Sequence, residues 1–261
     1  MKINFSKFNG AGNDFIIIDN RNNSIDYNSS LIKHICDRNF GIGGDGLILI
    51  NESDLYDFEI LHYTSDGQIG SLCGNGSRCA ISFAYKNNII GKKTVFEAFD
   101  GIHNAEIIDE ELVKMEMKIN SKIIENEYGT WLDTGSPHLI IEKENIDELD
   151  VNNLARKIRY NEYYKENGVN VNFIEKISDE TFKIRTYERG VENETLACGT
   201  GSTASAICMN YLGNSDSNII TMKCRGGNLK VEFNSSDQTF TNISITGPAI
   251  KVFEGTIIVK I

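Results

Sequence analysis

The pentapeptide Cys-Gly-x-Gly-Ser occurs twice, in "CGNGSRCAISFAYKNN" from Cys73 and again 125 residues later in "CGTGSTASAICMNYLGN" from Cys198. Each copy leads into small and apolar residues at helical spacing. Other segments repeat in the same order: Gly101 maps onto Gly226 at the same offset, "FEILHY" onto "FKIRTY" at 124, and "GNDFIII" from Gly12 onto "GSPHLII" from Gly135 at 123. A period of this size indicates duplication of a domain-sized unit, because a solenoid repeats every ~20–50 residues. At ~100–200 residues per domain, a chain of 261 residues accommodates two. The expected domains are 1–120 and its internal duplicate 121–250, with the C-terminal strand 251–261, which ends in "EGTIIVKI", returning to the first.

Alternating segments predict strands at Asn4–Lys7, Phe15–Asp19, Leu47–Ile50, Phe58–Tyr63 and Thr94–Glu97, then at Trp131–Asp133, His138–Glu142, Val171–Glu175 and Phe182–Tyr187. Helices are expected over Ser29–Asn39, from Cys73 to the Asn87/Asn88 stop, over Asn152–Arg159 and over Gly199–Leu212. Strands gather before each long helix without regular βαβ alternation. The expected class is therefore α+β: two pseudo-symmetric domains facing each other, each a curved, mostly antiparallel sheet around a central helix.

Composition excludes several functions. A net charge of −11 argues against nucleic acid, which is held by clustered Lys and Arg. No apolar run approaches the ~18 residues needed to span a bilayer, so no membrane partner is expected. The opening "MKINFSKFNGAGNDF" alternates instead of presenting an apolar export segment, and a cytoplasmic protein is expected. Six cysteines without C-x-x-C pairs then read as reduced thiols, with neither a disulfide framework nor a metal site.

The chemistry follows from the repeated motif. A cysteine at the start of a helix lies beside backbone N–H groups that lack an intrahelical acceptor and at the positive end of the dipole, which favours thiolate. The N–H groups of Gly74 and Asn75, and of Gly199 and Thr200, form two sites suited to a carboxylate. If the halves close on one another, Cys73 and Cys198 flank one carboxylate-bearing carbon. One thiolate then removes the Cα proton while the other thiol protonates the opposite face, which inverts the stereocentre. Pyridoxal phosphate is not needed. An acceleration of at least ~10⁶ asks roughly 8 kcal/mol of the dipoles, positioning and water exclusion together.

Other features have plainer readings. Cys36, Cys79, Cys208 and Cys224 behave as small buried hydrophobes. "GIGGDG" from Gly41 fits G-x-G-x-x-G but runs into the strand-like "LILI", so it is a turn and not a dinucleotide site. His34, His62 and His103 are structural or surface residues, and "EKENIDELDVNN" is a solvated acidic loop leading into a helix.

The segments "KFNGAGNDFIIID", "FGIGGDGLILI", "CGNGSRC", "TGSPH", "GVNVNFIE", "YERGVENETLACGTG" and "GPAIKVFEG" together resemble the diaminopimelate epimerase family over nearly the whole chain. "CGTG" alone is also similar to proline racemase. The resemblance implies a cleft between two pseudo-symmetric domains, L,L- to meso-diaminopimelate epimerisation on the lysine and cell-wall route, a homodimer and no cofactor. It assigns Cys73 and Cys198 to the acid/base pair, and Asn13, Gly74, Asn75, Gly199 and Thr200 to the reacting end of the substrate. Asn170, Glu188 and Arg189 match the holders of the distal amino acid end, and His138 and Glu188 the residues that tune the cysteines. Three positions depart from the family pattern: Gly46 in place of Gln, and Thr64 and Ser136 in place of Asn. The last two lie among distal-end contacts and bear on substrate identity.

Rival readings are a related racemase acting on histidine, proline or glutamate, an epimerase of lanthionine, and a non-catalytic amino acid-binding protein. Glu188 and Arg189 weigh against a substrate with one amino acid end, and the duplicated cysteines against a mere binder. A phenazine-type isomerase has no use for paired thiols.

Overall fold

The computed structural model describes residues 2–22, 27–70 and 72–259. The chain separates into two compact units, residues 1–115 with 247–261, and residues 116–246.

The first unit begins with β1 (Lys2–Gly10) and β2 (Asn13–Asp19), joined by a turn in which Gly12 takes φ +96° and donates its N–H to the Asn9 side chain at 3.0 Å. Helix α1 (Ser29–Cys36) follows, capped by the Asn28 side chain accepting from the Leu31 N–H. Then come β3 (Gly46–Asn51), β4 (Phe58–Thr64), α2 (Gly74–Lys86), β5 (Lys93–Ala98), β6 (Gly101–Ile107) and β7 (Leu112–Glu116). Both faces of the sheet are covered. Ile16, Ile18, Leu47 and Leu49 pack with Ile32 and Ile35 of α1, while Phe15 and Ile48, on the opposite face, lie over Gly76 of α2. This is why "FIIID" and "GLILI" read as almost continuous apolar runs. Helix α2 is buried from Gly74 to Ala84, and its Gly, Ser, Ala and Cys residues allow the sheet to wrap it closely.

The second unit contains β8 (Ile124–Asn126), β9 (Gly129–Asp133), β10 (Pro137–Glu142), α3 (Val151–Arg159), β11 (Asn170–Ser178), β12 (Thr181–Glu188), β13 (Asn193–Thr195), α4 (Gly199–Tyr211), β14 (Ile219–Cys224), β15 (Gly227–Ser236) and β16 (Thr239–Pro248). A 3₁₀ turn at Ile146–Glu148 precedes α3 in the stretch expected to be loop. Leu139, Val171, Phe173 and Tyr187 pack against Val151 and Ala155 of α3. The buried α4 contacts β9, β10, β11, β14 and β15. The chain finally re-enters the first unit as β17 (Ile250–Ile258), antiparallel to β1 with Lys2 opposite Ile258.

The strand orders are β17-β1-β2-β3-β4-β5-β6-β7 in the first unit and β8-β9-β10-β11-β12-β14-β15-β16 in the second. Read along either order, the third and fifth pairings are parallel and all others antiparallel. Registers correspond as well: Ile17 faces Ile48 and Ile48 faces His62, as Ile140 faces Asn172 and Asn172 faces Thr186. The class is the expected sheet-rich α+β. One helix is shorter than expected: α1 stops at Cys36, because the Asp37 carboxylate captures the N–H groups of Asn39 and Phe40, both at 2.8 Å. Among the described residues no helix is long and apolar enough to cross a membrane.

Candidate active site

In the first unit Cys73 is the N-cap of α2, with extended backbone (φ −105°, ψ 109°), and its sulfur accepts the Gly76 N–H at 3.4 Å. The first i→i−4 bond of the helix runs from Ser77 N to Cys73 O at 2.8 Å, so the N–H groups of Gly74 and Asn75 precede the helical ladder. Gly10 must be glycine, since a Cβ there would lie 2.8 Å from the Asn75 carbonyl oxygen and 2.9 Å from the Cys79 sulfur.

A buried chain of polar groups orients the amides beside the thiol. Arg78, fully buried, donates to Asn75 Oδ1 at 2.6 Å and to Gly74 O at 3.1 Å. Asn75 Nδ2 is thereby turned toward Asn13 Oδ1, 2.6 Å away, and Asn13 Nδ2 donates to Asp45 at 3.1 Å. Asp45 and Asp14 share Arg38, and Asp14 also pairs with the buried Lys7 at 2.7 Å. Partial burial alone would raise the Asp14 carboxyl, but hydrogen bonds from Arg38 and Lys7 hold it well below the usual carboxylate range.

In the second unit Cys198 is the N-cap of α4 (φ −123°, ψ 117°), and the ladder starts from Ser202 N to Cys198 O at 2.9 Å. The N–H groups of Gly199 and Thr200 precede it. Cys198 Sγ lies 3.3 Å from Thr200 Oγ1, and its thiol also hydrogen-bonds the Glu188 carboxylate. Burial raises the Glu188 carboxyl above its ordinary value, against hydrogen bonds from Thr195, at 2.5 Å, and Cys198. His138, fully buried, has Nε2 at 2.9 Å from Thr200 Oγ1. Burial first, and then the charge of Arg189, lower the imidazole to about 3, so it is neutral wherever a thiol works.

Asn170 accepts the Arg189 N–H at 2.9 Å through Oδ1 and donates through Nδ2 to Ser136 Oγ at 2.8 Å, so the serine retains contact with the amide. The exposed Arg189 guanidinium donates to Asn167 O at 2.7 Å. Thr64 Oγ1 is engaged locally with Asp66 and Gln68. At Gly46 a Cβ would meet Tyr63 O at 2.6 Å, so a glutamine there requires the strand pair to shift.

Within each unit, then, the residues singled out from sequence lie together: Asn13, Cys73, Gly74 and Asn75 in the first, and His138, Asn170, Glu188, Arg189, Cys198, Gly199 and Thr200 in the second. Sequence reasoning missed Arg78, Asn172, Thr186 and Thr195. The available signal was "NVNF", in which Asn170 and Asn172 put two amides on one face of a strand whose other face is apolar. Burial pushes the thiol of Cys36 to about 11 and raises those of Cys79 and Cys208, as inert core cysteines require. His103 is also structural, buried on Phe96 and bonded to Asp100 at 2.9 Å. "GIGGDG" forms a loop into β3, as expected of a turn. Among the described residues no group of three or more His, Cys, Asp or Glu is arranged to hold a metal ion.

Solved structures share this fold at low sequence identity. A phenazine biosynthesis protein of the PhzF family from Bacillus anthracis superposes with a TM-score of 0.78 at 14% identity, covering 99% of this chain and 100% of that one. A hydroxyproline epimerase from Agrobacterium vitis gives 0.67 at 13%, covering 98% and 91%. Sequence relatives are much nearer. The chain is 48% identical over 252 residues to a diaminopimelate epimerase of Flavobacterium psychrophilum, covering 96% of this chain and 98% of the relative. It is 42% identical over 256 residues to one of Chlorobaculum tepidum, covering 95% and 98%. The family model for diaminopimelate epimerase matches residues 5–122 and 130–252, and with the two helix-capping cysteines inside those segments the chain belongs to the diaminopimelate epimerase family.

Proposed function

We propose that this chain is an isomerase that converts L,L-2,6-diaminopimelate to the meso isomer in lysine biosynthesis, with Cys73 and Cys198 as the paired base and acid and no cofactor. The observation that carries the reading is that each unit presents one cysteine as the N-cap of its buried central helix, in a chain that the family model matches over residues 5–122 and 130–252.

On this reading the two helix N-termini take the substrate carboxylate next to the reacting carbon. One sulfur, as thiolate, removes the Cα proton. The other, as thiol, delivers a proton to the opposite face, and the roles exchange in the reverse direction. Negative charge builds on the carboxylate in the transition state, where the N–H groups of Gly74, Asn75, Gly199 and Thr200 stabilise it without reorganising. Asn13 adds an amide at the reacting end. Asn170, Glu188 and Arg189 hold the distal amino acid group, with Arg189 free to pair with its carboxylate in bidentate fashion. Glu188 also governs where the Cys198 proton resides, and neutral His138 acts through Thr200.

A cytoplasmic site of action suits six free thiols. A homodimer gains support from β17, whose Ile250, Val252, Phe253 and Ile258 are exposed apolar side chains. The test is a panel of L,L-diaminopimelate, lanthionine, histidine, proline and glutamate with purified protein, read by chiral chromatography. Interconversion of the diaminopimelate isomers is expected, and turnover of lanthionine, histidine, proline or glutamate in its place would overturn the substrate assignment.

A further inference from the structure

The residues behind Cys198 form a directional chain of hydrogen bonds. Asn172 Nδ2 donates to Leu139 O at 3.1 Å and lies 3.2 Å from His138 Nδ1, while Asn172 Oδ1 accepts from Thr186 Oγ1 at 2.9 Å. The amide has one satisfactory orientation, because reversing it would set its oxygen against the Leu139 carbonyl. Its N–H therefore points at Nδ1, which must be the unprotonated, accepting nitrogen of a neutral ring. The ring proton is then on Nε2 and donates to Thr200 Oγ1, 2.9 Å away. With its oxygen accepting that proton, the Thr200 hydroxyl hydrogen is available to the Cys198 sulfur at 3.3 Å.

The corresponding positions of the first unit are built differently. By register, Phe15 stands where His138 stands and Ile48 where Asn172 stands. A Cβ on Gly76 would touch Ile48 Cδ1 and the Phe15 ring, whereas one on Gly201 would lie 2.6 Å from Asn172 Oδ1 and 3.2 Å from His138 Nδ1. The same glycine of the repeated motif packs on hydrocarbon in one unit and on the hydrogen-bonded chain in the other.

We infer that Asn172 and Thr186 are positioning residues that fix the His138 proton on Nε2, making Thr200 a hydroxyl donor that stabilises the thiolate of Cys198 by a relay whose histidine and asparagine positions are held by Phe15 and Ile48 in the first unit. The inference rests on the proposed function only in making this thiolate a base. Charged groups facing the relay are Glu188, which bonds the Cys198 thiol, and Arg189, whose charge acts on His138. The thiol donates to Glu188, and on ionisation the sulfur accepts from Thr200 instead, so the relay serves the charged state specifically.

The test needs no substrate and is therefore independent of the epimerase assignment. In wild-type protein labelled with ¹⁵N-histidine, long-range ¹H–¹⁵N correlation should show His138 protonated on Nε2 and bare on Nδ1, unchanged from about pH 6 to 9, with His138→Gln identifying the signal. Thr200→Val should raise the pH midpoint of Cys198 alkylation by iodoacetamide by about one unit, a tenfold slowing below the midpoint, with Cys73 in the same chains unmoved. Asn172→Leu should admit the second tautomer and shift Cys198 in the same direction. A proton on Nδ1 in the wild type, an unmoved Cys198 midpoint in Thr200→Val, or equal shifts at both cysteines would overturn the inference.

Discussion

Gly201→Ala is expected to destabilise the protein where the matching Gly76→Ala does not. Both glycines lie in the first turn of a buried helix, and alanine gains up to ~1 kcal/mol of helix propensity at either site. At Gly76 the new methyl meets Ile48 Cδ1 at 3.1 Å and the Phe15 ring at 3.3 Å. These are apolar groups that yield by a few tenths of an ångström, for about 1 kcal/mol, and the net effect is close to zero. At Gly201 the methyl lies 2.6 Å from Asn172 Oδ1, which is held by Thr186 while its amide nitrogen is held by Leu139 O. Overpacking of ~1–3 kcal/mol and the loss of a buried hydrogen bond worth ~1 kcal/mol outweigh the propensity gain. The net loss is about 1–3 kcal/mol, or roughly 2–10 °C in Tm. Gly91→Ala, where nothing lies within 4 Å of the added carbon, is the control and should be neutral or stabilising by up to ~1 kcal/mol. Urea midpoints and Tm measured in parallel decide the matter. Equal stability of Gly76→Ala and Gly201→Ala would refute the packing of the motif glycine on the relay.

Three further outcomes are expected. Cys73→Ser and Cys198→Ser should each lower diaminopimelate turnover by ~10²–10⁴-fold or more, since a hydroxyl is too weak an acid to replace the thiol; steady-state kinetics check this. Arg189→Ala should lower kcat/KM for diaminopimelate by about tenfold or more, the worth of one charge-assisted hydrogen bond, with the fold intact by circular dichroism. His138, neutral when folded down to about pH 3, takes up a proton in the unfolded chain below ~6.5. Stability should therefore fall as pH drops through that window, and the urea midpoint of His138→Gln should vary less between pH 7 and 5 than that of the wild type.

Much of the architecture was legible because it rests on local pattern. The repeated cysteine motif located both central helices, and alternation in "FEILHY" and "FKIRTY" located β4 and β12. Strands β14 to β16 went unassigned although "NLKVEF" alternates as a half-buried strand does, with Leu229, Val231 and Phe233 facing the core. The end of α1 depended on one carboxylate, Asp37, bonding two backbone N–H groups, and periodicity carries no trace of that. The site divides along the same line. Residues to which the repeat or the family pattern gives a role were found, whereas Arg78 and Asn172, though inside quoted segments, and Thr186 act through side-chain bonds that spacing does not reveal, with partners as many as 34 residues away for Asn172. A buried strand face that changes from Phe15 and Ile48 to His138 and Asn172 between duplicated units is intelligible only once the register is known.

The central claim, two thiols acting on opposite faces of one carbon, is tested most directly by solvent deuterium at low conversion. Purified protein is incubated with L,L-diaminopimelate in heavy water, and the meso product and recovered substrate are separated and weighed by mass spectrometry. The account predicts one deuterium in the product from the first turnovers, delivered by a solvent-equilibrated thiol, with little or none in the recovered substrate. Product retaining the substrate proton would mean that a single group removes and returns it, and would contradict the paired-cysteine mechanism.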